Sequence, residues 1–220
     1  MRARPLTLLL LIPLAALGQD RLAGRVEGGL YHSATGAFRI AIPVAPELGG
    51  RILDTANVVT FEDDFDTHLS IACFALDLTQ KWELESRGRN AYLNYFFTTF
   101  VMPDFERRYP GSTLAGTRFL PEVGDGALAV FCLLPGGSYF DGRHELDPAN
   151  PTRPPATAKR GNLLFVRNGH VFVLSAELAE RVLLPSSFRK TPEEEDELLA
   201  RRLRTYVGRM SFPAPGAPRG

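Results

Sequence analysis

Lysine is nearly missing from this chain. Of its 25 basic residues 22 are arginine, and only Lys81, Lys159 and Lys190 are lysine. Acidic residues also number 25, so the formal net charge is zero. No overall field draws such a chain to nucleic acid or to an anionic membrane. Cysteine is scarce too, with Cys73 and Cys132 the full complement. Two cysteines without a nearby histidine pair do not make a zinc site. Each lies in an apolar, strand-like run, which leaves open both a disulfide between them and two buried free thiols. The common catalytic and nucleotide signatures are absent: there is no G-x-S-x-G, no P-loop and no G-x-G-x-x-G. Ser187-x-x-Lys190 has S-x-x-K spacing, but no S-D-N or K-T-G accompanies it, so it carries no catalytic assignment. No cofactor is expected.

Long apolar runs are also lacking, except at the N-terminus. "MRARPLTLLLLIPLAALGQ" opens with Arg2 and Arg4, continues apolar from Leu6 to Leu17, and places Ala16 and Gly18 before Gln19. That is the layout of a signal peptide, 1–18, with cleavage before Gln19. The run is short of the roughly 20 apolar residues a spanning helix needs. No cysteine stands at the cut for lipid attachment. The mature protein is therefore expected to be secreted or periplasmic, with no membrane span. The arginine bias is that of a GC-rich coding sequence, which fits a bacterial source. Residues 19–27 are expected to be a flexible leader, 28–212 one domain and 213–220 a disordered tail.

The segments that remain are mostly strands. "YHSATGAFRIAIP" reads as a hairpin, "PVAPELGGR" as a loop, and "ANVVTFE" and "THLSIACFALDL" as two further strands. Residues 86–109 carry a helical stripe of Leu93, Phe96, Phe97, Phe100, Val101 and Phe105, with a break or restart at Pro103. Trp82, Tyr92 and Tyr95 are expected in the core. "STLAGTRFLPEV" and "GALAVFCLLP" are strands joined at Gly124-Asp125-Gly126. "NLLFVRNGHVFVLSA" is a hairpin turning at Asn168-Gly169, with both faces apolar. Leu163, Phe165, Val171 and Val173 are expected on one face, and Leu164, Val166, Phe172 and Leu174 on the other. "ELAERVLL" suggests a short helix. A last helix starts at Thr191, with Pro192 first and Glu194 completing a capping box.

Two stretches hold candidate chemistry. In "FEDDFDTH", residues 61–68, Asp63, Asp64, Asp66 and His68 are the metal-ligand candidates, with calcium the cation they would suit. The EF-hand pattern is incomplete, because no glutamate follows at position twelve. Aspartates in such a connection also bond their own backbone, so a solvated turn is the competing reading. The second stretch is 135–160, rich in proline and glycine and without any period. It is expected to be a long irregular loop and the most mobile internal segment. Its candidate binding residues are Tyr139, Asp141, Arg143, His144 and Glu145.

Three places in the chain resemble the PsbP/DcrB-like family. They are the opening hairpin Tyr31-x-Ser33-x-x-Gly36-x-Phe38-x-Ile40-x-x-Pro43, the segment Gly169–Glu177 "GHVFVLSAE", and the end of the final helix at Tyr206, followed by Ser211-Phe212. The resemblance implies an α+β fold, an α/β/α sandwich whose mainly antiparallel sheet has about seven to eight strands. Members are mostly accessory or binding proteins, and a Ran-binding nuclear import factor shares the fold. It implies a non-enzymatic exported protein that binds another protein or a small ligand. A hydrolase using the 135–160 loop and an accessory subunit of a membrane complex are the alternatives.

Overall fold

Asn168 and Gly169 form the tightest joint in the chain. Both take positive φ, 48° and 72°. That twist lets a two-residue turn reverse a strand pair without splaying it. The structure, a computed structural model, describes residues 22–141 and 155–213. On either side of the joint run β9 (Thr157–Arg167) and β10 (His170–Glu177), paired antiparallel from Arg167↔His170 to Arg160↔Glu177. They are the centre of a seven-stranded antiparallel sheet. Its other strands are β4 (Arg51–Asp54), β5 (Val58–Glu62), β6 (His68–Ala75), β7 (Thr113–Leu120) and β8 (Ala127–Pro135). The order is β4-β5-β6-β10-β9-β8-β7. A small second sheet, β1-β2-β3-β11, joins Arg25–Glu27, Leu30–His32, Arg39–Ala41 and Met210–Ser211.

The large sheet is apolar on both faces and is covered on both. On one face Phe61, Ile71, Phe131, Phe165, Phe172 and Leu174 pack against Tyr31, Phe38 and Ile40 of the small sheet. The same face packs against Leu199, Ala200 and Leu203 of α5 (Pro192–Gly208). α5 comes close because β9 carries Gly161 beneath it. A Cβ there would lie 3.0 Å from Leu199 Cβ and 3.1 Å from Leu203 Cδ1. On the other face Val130, Cys132, Leu134, Leu164, Val166, Val171 and Val173 meet Tyr92, Leu93, Phe96 and Phe97. Those come from α2 (Arg89–Phe96) and the π-helical turn Phe97–Val101 that follows it. The fold is thus α+β, with one mainly antiparallel sheet between helical layers.

Several expectations need correction. The facing of the central hairpin is different: Leu163 and Phe165 share a face with Phe172 and Leu174, and Leu164 and Val166 with Val171 and Val173. Directly opposed residues of an antiparallel pair point the same way, and the register opposes 165 to 172 and 164 to 173. The helical stretch starts earlier, with α1 (Leu78–Arg87) capped by the Asp77 side chain. After α2 and the π turn, α3 runs Met102–Arg108. Pro103 has no N–H to continue the ladder, and the wider π turn sits just before it. The extra residue of that turn shifts the stripe, so Phe100 is 49% exposed. Trp82 lies on the outer side of α1 and is 63% exposed, although Tyr92 is fully buried.

The leader is not slack throughout. Arg25–Glu27 is a strand, and the Ala23 and Gly24 N–H groups donate to Asp54 at 2.9 and 2.7 Å. The disulfide is not formed. Cys73 and Cys132 are free, buried in cores on opposite faces of the sheet, and three strand steps apart. That is at least about 14 Å at the usual strand spacing, and the register adds an offset along the strands, since Cys73 is level with Ala127 of β8; bridged Cα atoms lie within roughly 7 Å. The 135–160 loop is also shorter than expected. β8 continues to Pro135 and β9 starts at Thr157, so Lys159 and Arg160 belong to the sheet. The signal segment 1–18 and residues 214–220 lie outside the described residues. Among those described, no helix is long and apolar enough to cross a membrane.

Candidate functional site

The two stretches singled out by sequence meet in space. Cross-strand pairing sets Arg51 beside Glu62, Glu62 beside His68, and Glu177 beside Arg160. One step past the Ala176↔Leu69 pair brings Glu177 alongside His68. These five residues form a polar row across the end of the sheet. Arg51 Nε lies 3.0 Å from Glu62 Oε1, and Arg160 Nη2 lies 3.8 Å from Glu177 Oε2. The turn after β8 is pinned onto this row. The Tyr139 ring stacks on His68 at 4.4 Å between centroids and 29° between planes. Arg51 Nη2 donates to Tyr139 Oη at 3.1 Å.

Glu177 is the buried anchor of that turn. It accepts the Ser138 hydroxyl at 2.5 Å and the Tyr139 N–H at 2.9 Å. Burial pushes its pKa up, and these donors and Arg160 only partly offset the rise. Phe140 is fully buried against Ala179 and Val182. Asp141 Oδ2 accepts the Ala156 N–H at 3.0 Å, which closes the neck of the loop. Tyr139 and Asp141 are thus fixed parts of the turn. Arg143, His144 and Glu145 lie outside the described residues.

The acidic stretch is built around its own backbone. Asp63 Oδ1 accepts the N–H groups of Phe65, Asp66 and Thr67 at 2.9, 3.0 and 3.0 Å. Burial alone would raise the Asp63 pKa, but the bonds from Thr67, Phe65 and Asp66 outweigh it, and it ends lowered. Asp64 lies 3.8 Å from Arg51, and Asp66 Oδ1 accepts the Thr67 hydroxyl at 3.3 Å. Among the described residues no group of three or more His, Cys, Asp or Glu side chains converges to hold a metal ion.

Beside this row lies a groove of about 480 Å³. Its floor is formed by Pro43 and by the strand ends at Thr67–His68 and Ala176–Glu177. α5 is its wall, through Leu198, Arg201, Arg202, Thr205 and Tyr206, with Arg209 just past the helix end. Arg202 donates to both oxygens of Glu180 on α4 (Glu180–Leu183). The Arg209 guanidinium lies 5.9 Å from the Tyr206 ring centroid. Sequence reading missed this wall. Its signal is the three- and four-residue repeat of 198, 201, 202, 205 and 206, one step round the helix from the core stripe.

Over 91% of this chain and 99% of the other, the structure is similar to the solution structure of cyanobacterial PsbP (CyanoP) from Synechocystis sp. PCC 6803, with TM-score 0.50 and 13% identity. The fold is PsbP-like. The Saccharomyces cerevisiae Ran-binding protein Mog1p gives 0.46 at 9% identity, over 87% of this chain and 96% of that one. A Bacteroides thetaiotaomicron protein gives 0.44 at 8% identity, over 87% and 51%. No family model and no curated protein matches the chain.

Proposed function

We propose that this is an exported, non-enzymatic binding protein that takes its ligand or partner in the α5 groove, beside the pinned 137–141 turn. The groove carries this reading. Its volume falls within the range of small-molecule sites. Its wall belongs to a capped helix and its floor to a sheet, so it is rigid before anything binds. The PsbP-like fold supports a binding role only in general terms, and the signal-peptide layout of residues 1–18 supports export. The test is affinity capture from the native host, with mass spectrometry of what co-elutes with the wild type and with a groove-filling Thr205→Trp variant. A specific companion lost in the variant is the expected result; one that is retained removes the groove from the proposal. N-terminal sequencing of the exported protein should begin at or near Gln19.

A second reading, the accessory subunit, is favoured by a different surface. Leu78 and Trp82 lie one turn apart on α1, 84% and 63% exposed, and Phe74 at the end of β6 is 37% exposed. Exposed apolar residues so grouped suit a protein partner. Loss of the co-eluting companion in Trp82→Glu, with retention in Thr205→Trp, would select this reading.

A further inference from the structure

α5 carries two stripes. Leu199, Ala200 and Leu203 are buried on the sheet, while Leu198, Arg201, Arg202, Thr205 and Tyr206 wall the groove. The helix dipole does not account for the charges on the second stripe. Cations suit the last turn of a helix and its cap, which accounts for Arg209 at the C-cap but not for Arg201 and Arg202, which precede the last turn.

The three arginines of the groove are not equivalent. Arg202 is committed to Glu180, and Asp66 adds to the acid around it. Arg201 and Arg209 have no carboxylate partner among the described residues, and both are exposed. Arg209 lies near the Tyr206 ring, with Cζ 5.9 Å from its centroid. The acidic groups of the lining do not fill the vacancy. Glu177 is turned onto Ser138 and the Tyr139 N–H, with its side chain fully buried. Asp66 accepts the Thr67 hydroxyl, and its charge acts on Arg202 and Tyr206. Two planar guanidinium forks with spare donors match carboxylate or phosphate oxygens. They stand eight positions apart along the chain, about 12 Å at helical rise.

We propose that the groove binds a small anion with two acidic groups, carboxylate or phosphate, one held by Arg201 and the other by Arg209. This rests on the binding role proposed above and names its ligand chemistry. The test uses the full chain at constant ionic strength, titrated with sodium citrate, sodium pyrophosphate and sodium acetate. Binding is followed by calorimetry and by the amide NMR signals of Thr205–Arg209. Citrate or pyrophosphate should saturate, move those signals, and bind at least tenfold tighter than acetate. Saturation by citrate alone assigns carboxylates, and by pyrophosphate alone phosphates. The Arg201→Gln, Arg209→Gln double variant should keep its circular dichroism and weaken binding by roughly tenfold or more, the loss expected for one or more charge-assisted bonds. Unsaturable shifts, equal binding of acetate, or unchanged affinity in the double variant would overturn the proposal. If no anion saturates while Thr205→Trp still loses the captured companion, the ligand chemistry is wrong and the groove reading stands. If citrate saturates while the companion is retained, the anion site stands and the companion docks elsewhere.

Discussion

Single residues carry charge into places where the sequence suggests none. Lys159 is 1% exposed, and its Nζ reaches Asp196 Oδ1 at 2.7 Å, Glu195 Oε2 at 3.1 Å and the Pro192 carbonyl at 2.8 Å. The Pro192 carbonyl accepts a hydrogen bond from the ammonium and the two carboxylates balance its charge, while Arg181 Nη1 donates to both oxygens of Glu195. Removing the lysine strands Asp196. Lys159→Met should lose about 3 kcal/mol in urea unfolding, the size expected when a buried pair is broken, and adding Asp196→Asn should recover part of it, because Glu195 keeps Arg181 while Asp196 has no other ion-pair partner among the described residues. Glu177 gives the pH counterpart. Its folded pKa is raised above the ordinary 4.5 by burial. Between those two values the folded chain holds a proton that the unfolded chain has released, so stability falls as pH rises through that window. Glu177→Gln removes the fall. The melting temperature of the wild type, relative to this variant, should therefore decline as pH is raised from 4.5. A flat difference would mean that Arg160 and the two donors fully offset the burial. Asp63 and Glu180, both with lowered pKa values, act in the opposite sense. Their contribution is present above the ordinary carboxylate range and is lost as pH falls through their folded values.

In the 135–160 segment the described ends are held by burial and hydrogen bonds. Replacing residues 142–154 with a short Gly-Ser linker keeps Phe140 in its pocket, Tyr139 on His68, and Asp141 on the Ala156 N–H. Loop length alters stability only slowly, so the melting temperature should move little. Replacing 139–159 removes Phe140 and Lys159 along with the first residues of β9, and should unfold the domain. Equal effects of the two replacements, measured by thermal circular dichroism, would refute this division. The same segment shows what was legible in the sequence. Asn168-Gly169 and the Thr191–Glu194 capping box specify themselves through local chemistry, and both are present as read. "TAKR" reads as solvated loop, and α5 and Glu177, distant in the chain, make its charges compatible with β9. β4 has little local signal, because "RILD" is short and charged at both ends; its pairing with β5 defines it. The π turn has no local signature beyond Pro103. Of the site, His68 and Tyr139 are legible as separate candidates, but their stacking depends on register across the four strands β6, β10, β9 and β8, which composition does not reveal.

At the scale of the whole molecule the sheet is a partition, and the two cysteines test it. Cys73 faces the core shared with α5 and the small sheet, and Cys132 faces the core under α2. Burial pushes both thiols up to about 12, so neither forms appreciable thiolate at neutral pH. A chain exported as proposed would enter an oxidising compartment, where accessible thiols pair. Here β9 and β10 lie between the two strands, and the side chains point to opposite faces. No shift within a folded sheet brings them together. The pairing is therefore open only to the unfolded chain, and folding should protect the thiols rather than a disulfide. Protein purified from the exported fraction should titrate no thiol with a polar reagent while folded, and two in denaturant. Reductant should leave its melting temperature unchanged. A single bridged species in denaturant without reductant would show that the thiols paired before the sheet closed, and that the two cores are not separated as described.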